Sequence, residues 1–584
     1  MASPRVESSL QYFRPGCRAR PDLARSGAAP FPDRCRDAPG LGISYALMRQ
    51  PERDGPAVAP AVIAAQGAGP REELAVLGLP AGDELQASPP PGKEPMQGLS
   101  RLVRFARRHA LFGALLLIAG AVRLIVMLGF PGAMLFGDSQ AYVSVAMHMR
   151  PGDGAVVLRP SGYPGMLVLL SPLHSVVAVV AAQHVMGLGV GVAGYALLRR
   201  RGLPGWGATL AMVPVLLSAY AIQLEHFILS DSLFGFLVML AVVVLMWRPD
   251  PPLWAYWAAG LLLGLSALVR SQGLPLMLVF VAVLLCRLRD WRTFAGVVGL
   301  CAAFAIPVAG YATWFKTNYG VFNLTRSDGI FLWARVTTFA DCAKIKPPPA
   351  ERPLCMNVPV SQRVYAPDYL WNPSPIQNIK GGEFGTRADK LGTDFALRAI
   401  RAQPLAYASA VWNSFAQTFM LHETATSGPF QHAGPAESSL LQGAYAFPAK
   451  SPPPQVPADV PYFRAYDPAS LHLRIVQPFA SWTRAYQRYV VVAGPLLGLI
   501  ALAGLAGALI AWRRLGWPVL LPWLSGVVLL ATPALTAEFD TRYVVCAVPP
   551  LCVAAAMSVP LLADLAKRLR EKHGGVASAR RGTA

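Results

Sequence analysis

Stretches of about 20 apolar residues recur from residue 110 to residue 562, and they constrain the fold more than any other feature of the chain. About 20 apolar residues are what a helix needs to cross the hydrocarbon of a bilayer. In lipid, a helix also satisfies its own backbone polar groups. Ten candidate spans can be read: 110–130, 174–198, 205–224, 228–247, 253–269, 273–286, 294–314, 490–512, 519–535 and 544–562. The apolar piece 166–173 is too short to cross and reads as a re-entrant or interfacial turn after Pro164. Charge content agrees, since only 14% of the 584 residues are charged, against about 25% in soluble domains. The expected fold class is an all-α polytopic membrane protein of about ten transmembrane helices with an extracytoplasmic mixed domain.

Charge sets the expected organisation. Residues 1–100 carry 11 basic and 11 acidic residues, so the whole excess of +20 lies beyond them. Those 100 residues include 15 prolines and no sustained apolar period, a composition that reads as a disordered tail. No apolar signal region follows the first residues, and Met48 or Met96 would be the candidates for a later start. Residues 101–315 then form an N-terminal membrane bundle of spans 1–7. Residues 316–488 form an outer segment, in which 389–420 reads as amphipathic helix broken at Pro404. Spans 8–10 occupy 489–566, and 567–584 is a basic tail. Arginine clusters at 101–108, 199–201, 248, 287–292, 513–514 and 567–572 alternate correctly for ten spans with both termini cytoplasmic. This is the pattern of a multi-pass cell-membrane protein. No basic stripe exists outside those loops, which argues against nucleic acid as a partner. Among the eight cysteines, Cys342 and Cys355 alone lie in the outer segment, where oxidation is permitted, and a disulfide between them is expected.

The ionisable residues collect at the outer ends of the spans. The first outer loop carries Asp138, Tyr142, Arg159 and Tyr163. The second carries Glu225, His226 and Asp231, the third Arg270, and the last Glu538, Asp540, Arg542 and Tyr543. A carboxylate can take the proton of an attacking hydroxyl. Arginines can grip a phosphate leaving group, and a cavity at membrane level can admit a lipid tail. Each residue also has a plainer reading. Asp138 could cap a helix, and Asp231 could make a structural hydrogen bond. Glu225 and His226 could be ordinary turn residues, and Arg270 could snorkel. Arg123, inside the first span, could pair with a carboxylate or reach a headgroup. Arg542 could pair locally with Glu538 or Asp540, and the tyrosines could belong to an interfacial belt.

Asp138, soon after the first span and followed by Tyr142, resembles the catalytic aspartate position of GT-C glycosyltransferases. Arg159-Pro160-Ser161-Gly162-Tyr163-Pro164 resembles an element of the aminoarabinose transferases. Phe227-Ile228-Leu229-Ser230-Asp231-Ser232 is similar to a stretch of protein O-mannosyltransferases. Gly264–Arg270 resembles the family's Gly-Leu-x-x-Leu-x-Arg helix end. The likeness covers residues 110–330 and, weakly, the last helices. A single Asp138 stands where the family often has an acidic pair, and no His–Glu metal pair is visible.

The resemblance implies a GT-C-like fold and a glycosyltransferase, hexosyl- or pentosyl-, working from a polyprenyl-phosphate sugar. Its acceptor would be a glycan, lipid or protein hydroxyl. Asp138 would be the base, with Asp231 and Glu225 as alternatives. Tyr142, Arg159, Tyr163, His226, Arg270, Arg542 and Tyr543 would bind substrate. The metal requirement stays open between none and a divalent cation. A transporter or flippase of lipid-linked sugars is the competing class; it usually shows matching halves, and these halves do not match.

Reporter fusions at Gly202, Gly381 and Gly574 should read inside, outside and inside. An inside signal at Gly381 would put the candidate residues on the wrong side of the membrane.

Overall fold

The computed structural model describes residues 94–135, 137–148, 154–288, 290–363, 366, 368–371, 374–382, 384–420, 447–449, 461–467, 473–511 and 517–581. The chain divides into Met1–Ser88 and Pro89–Ala584. Most of the expected tail lies outside the described residues. Its end does not, because helix α1 (Glu94–Gly129) begins before Arg101. Likewise the expected C-terminal tail is helical as far as Arg581.

The chain continues through α2 (Gly137–His148), α3 (Gly154–Leu158) and α4 (Gly162–Leu170), with a 3-10 turn at Ser171–Leu173. Then come α5 (Val176–Arg200), α6 (Gly205–Leu217), α7 (Ala219–His226), α8 (Asp231–Met246), α9 (Leu253–Val269), α10 (Gly273–Leu285) and α11 (Trp291–Tyr319). Local chemistry sets several ends. The Ser175 hydroxyl accepts from Ala178 N–H at 3.3 Å, and Asp290 Oδ1 from Thr293 N–H at 2.8 Å. Gly320, at φ +79°, closes α11 in a left-handed cap.

The outer segment begins with α12 (Asp328–Thr337), α13 (Cys342–Ile345), α14 (Asp368–Trp371), α15 (Thr386–Ala402) and α16 (Pro404–Gln417). The helical stretch does break at Pro404, which starts α16 where its missing N–H costs nothing. Buried Ala388, Gly392, Phe395, Ala396 and Ala399 give α15 a face at helical spacing. That face packs on Ile330, Trp333 and Leu354 in a separate core. A disulfide joins Cys342 to Cys355, with an S–S distance of 2.01 Å. The segment was expected to be mixed. Among the described residues it holds helices and 3-10 turns and no strand, because its apolar residues recur at 3–4 rather than 2. Helices α17 (Pro461–Tyr466) and α18 (Phe479–Gln487) lead back to α19 (Gly494–Ala511), α20 (Trp517–Thr536), α21 (Thr541–Val545) and α22 (Val548–Arg581).

Each of the ten apolar stretches holds helix among its described residues, but the lengths differ. Five are long and apolar enough to cross a membrane: Phe105–Gly129, Val176–Arg200, Trp291–Tyr319, Trp517–Thr536 and Thr541–Lys567. Helices α6 and α7, bent by 48° around Ser218, make a sixth if counted as one span. Helices α8, α9, α10 and most of α19 are apolar but shorter. The 13 residues of α10 rise about 20 Å, short of the roughly 30 Å of hydrocarbon. Length alone therefore does not establish ten crossings.

Helices α9 and α11 approach very closely. A Cβ on Gly260 would stand 2.2 Å from the Leu300 carbonyl oxygen, and one on Gly299 would meet the Trp257 ring at 2.4 Å. Small residues on both helices allow this contact. Gly260→Val should therefore lower the thermal midpoint in detergent, at a cost above the ~1–3 kcal/mol of ordinary overpacking, because backbone must move. Gly120→Ala, where a Cβ meets nothing within 4 Å, should leave the midpoint unchanged. Equal midpoints for both variants would contradict this packing.

Candidate functional site

Two inter-helix segments lie side by side at helix ends of the bundle. Met134 N–H donates to His226 O at 3.0 Å, and Ile228 N–H to Met134 O at 3.1 Å, forming a single parallel bridge. This bridge seats α2 against residues 226–231. Ser139 Oγ donates to Ile228 O at 2.9 Å, and the Tyr142 and Ser230 hydroxyls lie 3.1 Å apart. Asp138 consequently sits in the first turn of α2, where the helix dipole favours a carboxylate. Asp231 opens α8 close by.

Arginines from three separate loops converge on these carboxylates. Arg159 Nη2 reaches Asp138 Oδ1 at 3.4 Å, and Arg542 Nη1 reaches Asp138 Oδ2 at 3.1 Å. Arg270 Nη1 pairs with Asp231 Oδ1. Asp540 caps α21 and holds Arg542 Nε at 3.3 Å, which turns the other end of that guanidinium toward Asp138. The Tyr543 ring lies between the cations, with both the Arg270 and the Arg542 guanidinium carbon 5.1 Å from its centroid. Gly162 explains how the Arg159 loop comes so near Arg270. A Cβ there would stand 2.5 Å from the Leu268 carbonyl, so only glycine lets α4 lie on the end of α9.

Asp138 is 8% exposed. Burial alone would raise its pKa. The charges of Arg159 and Arg542, the Arg542 hydrogen bond and the charge of Arg270 outweigh burial and hold the carboxyl well below the usual carboxylate range. Both its oxygens accept from guanidiniums. Among the described residues, no three His, Cys, Asp or Glu side chains come together to hold a metal. Asp138 and Asp231 each face an arginine.

The remaining expected residues lie elsewhere. Glu225 and His226 are not free groups of an outer turn. Both Glu225 oxygens accept from Arg123, Oε1 from Nη2 and Oε2 from Nε, each at 2.8 Å. His184 Nδ1 lies 2.8 Å from Oε2. The His184 ring contacts His226 Nδ1 at 3.3 Å, and His226 Nε2 donates to Phe130 O at 2.9 Å. Tyr163 is fully buried and its hydroxyl donates to Gln183 Oε1 at 2.9 Å, so it braces the site from within. Tyr142 is also buried and meets Tyr163 edge-on at 4.9 Å, so neither ring belongs to an interfacial belt. The sequence reading missed Gln183 and His184. Gln183 Nε2 donates to the carbonyls of Glu225 (2.9 Å) and Phe227 (2.7 Å), joining α5 to the segment beneath Asp138. A polar pair inside an otherwise apolar span was the available signal. A largely apolar cleft runs between α5, α6, α7, α8 and the α21–α22 turn, with Glu225 and Asp231 as its charged lining residues.

No family model matches the chain, and no curated protein matches it. Among solved structures it is similar to the Archaeoglobus fulgidus oligosaccharyltransferase in its apo form. The identity is 11% and the TM-score 0.37, over 79% of this chain and 52% of that one. It is also similar to ArnT from Cupriavidus metallidurans in the apo state, at 13% identity and a TM-score of 0.30, over 76% of this chain and 77% of that one. A second ArnT structure, bound to undecaprenyl phosphate, matches at 14% identity and a TM-score of 0.28, over 77% of this chain and 78% of that one. The chain thus spans about half the length of the oligosaccharyltransferase.

Arg123→Leu strands a buried carboxylate and should cost about 3–5 kcal/mol, seen as lost folded protein or a much lower midpoint. Arg123→Leu combined with Glu225→Leu should recover most of that loss. A double variant no better than the single one would show that the pair does not carry the effect.

Proposed function

We propose that this chain is an integral-membrane glycosyltransferase that moves a sugar from a polyprenyl-phosphate donor to an acceptor hydroxyl outside the cytoplasm. The observation that supports this most is a buried carboxylate, Asp138, ringed by arginines from different outer loops, with an apolar cleft running to the neighbouring Asp231. The apolar helix faces around Asp231 suit the neighbourhood of a lipid tail, and Arg270 and Arg542 suit a phosphate. The acceptor oxygen attacks the anomeric carbon, and its proton passes to Asp138. The carbon–oxygen bond to phosphate breaks, its electron pair leaves on the phosphate, and configuration inverts.

Arginine pairing makes Asp138 ionised but weakly basic before substrate arrives. A donor phosphate competes for the same guanidiniums. As it draws Arg542 away, the carboxylate gains basicity at the moment a base is needed. Positive charge comes from arginine, so this scheme needs no divalent cation. Both termini are then cytoplasmic and residues 316–488 lie outside, facing acceptor glycan, lipid or protein.

A flippase of lipid-linked sugars is favoured by one observation. Helices α6 and α7 form a broken span next to the buried Arg123–Glu225 pair, and transporters use such breaks. Every acceptor of that pair is already occupied, whereas the Asp138 pocket carries the exchangeable charge, and this ranks transfer first.

Asp138→Asn keeps the size of the side chain and would cap a helix about as well, but it cannot take a proton. Transfer should fall by at least about 100-fold at unchanged protein level. Near-normal transfer by the Asn variant would move the base to Asp231. Movement of labelled lipid without transfer would favour the flippase.

A further inference from the structure

Neither arginine on Asp138 is held by the membrane helices alone. Arg159 touches one short helix of the outer segment, α12, and the turn that carries Arg542 is tied to the same helix through Glu538. The Arg159 guanidinium lies over the Phe331 ring, 4.8 Å from its centroid. The backbone leading to it is tied to the start of the same helix, because Arg326 N–H donates to Val157 O at 2.8 Å and Ser327 Oγ to Leu158 O at 2.9 Å. One turn beyond Phe331 stands Arg335, whose Nη1 donates to Glu538 Oε2 at 3.0 Å. Residues at i and i+4 share a helix face, so Phe331 and Arg335 present themselves together.

Glu538 lies four residues before Arg542. Its other oxygen accepts from Ser414 of α16. From Glu538 the chain runs to Asp540, which caps α21 and holds Arg542 by backbone and side chain, at 3.1 Å and 3.3 Å. Arg335 is 1% exposed, and its Nε and Nη2 make no hydrogen bond among the described residues. A guanidinium buried this deeply depends on its single carboxylate, and separating the two is costly. Glu538 is therefore pinned, and with it the turn that aims Arg542.

We propose that α12 positions the arginine clamp on Asp138, with Phe331 and Arg335 as positioning residues for the donor phosphate. This rests on reading the Asp138 pocket as the donor site. The outer segment then does more than cover the bundle. Its α12 helix carries the alignment of two loops, at Arg159 and Arg542, that are separated by hundreds of residues in sequence. A rotation of α12 would loosen both arginines together.

The test uses the full-length protein in lipid nanodiscs, with two readouts. Amide hydrogen exchange is followed over residues 157–161 and 538–543, and undecaprenyl phosphate is titrated as the probe. Arg335→Met should speed exchange at 538–543, including the Arg542 amide, and weaken probe binding about tenfold. Arg335→Lys should rescue part of both effects, as a point charge that still reaches Glu538. Phe331→Leu should speed exchange at 157–161, leave 538–543 unchanged, and weaken binding less. If Arg335→Met does not fold, Phe331→Leu and Arg335→Lys decide the matter.

Folded variants with wild-type exchange in both regions would overturn the proposal. So would faster exchange with unchanged probe binding. A wild-type protein that does not bind undecaprenyl phosphate defeats the reading of the pocket as a donor site and, with it, the donor role of Phe331 and Arg335. The exchange data would then report separately on whether α12 holds the two loops.

Discussion

A guanidinium placed inside a membrane helix has to meet a carboxylate, and much of this architecture follows from how Arg123 does so. Glu225 accepts from it through both oxygens, and Arg123 Nη1 also donates to Leu216 O at 2.9 Å. One side chain of α1 thereby fixes both halves of the bent α6–α7 pair. His184 brings in α5, and His226 closes on the Phe130 carbonyl at the end of α1. The segment that follows, 226–231, is held between these helices, and it forms the floor on which α2 and Asp138 rest. The polar cluster in the apolar layer is a foundation for the one at the surface.

The second cluster obeys the same rule with a different outcome. Arg159, Arg270 and Arg542 face Asp138, Asp231 and Asp540, so the charges balance one for one. The Arg123–Glu225 pair is sealed, with both side chains under 10% exposed. In contrast, the Arg159 side chain is 23% exposed. Arg542, at 6%, is as buried as the sealed pair, so Arg159 is the open edge of this set.

Much of this was legible in the sequence. The ten apolar stretches are helices because apolar content at that length leaves the backbone no other way to satisfy itself in lipid. The break at Pro404 followed from a missing N–H. The outer-loop carboxylates and arginines stood out because charge is costly near a membrane. Three things were not legible. Glu225 and Asp231 look alike in the sequence, yet one is locked to Arg123 and the other pairs with Arg270. Tyr163 sits in the same loop as Asp138 and reads as a contact residue, but its hydroxyl is turned inward to Gln183. Helix α12 carried no signal, because the importance of Phe331 and Arg335 lies in what they touch.

By itself the sequence determined a helical membrane protein with charge gathered at the ends of its helices, since hydropathy and charge are local properties summed along the chain. Which carboxylate faces which arginine was decided only by the tertiary structure. Asp138 and Arg542 are 404 positions apart, and Arg335 and Glu538 are 203 apart. Coulomb energy depends on distance in space and on the dielectric around the pair, and neither is set until the helices have packed.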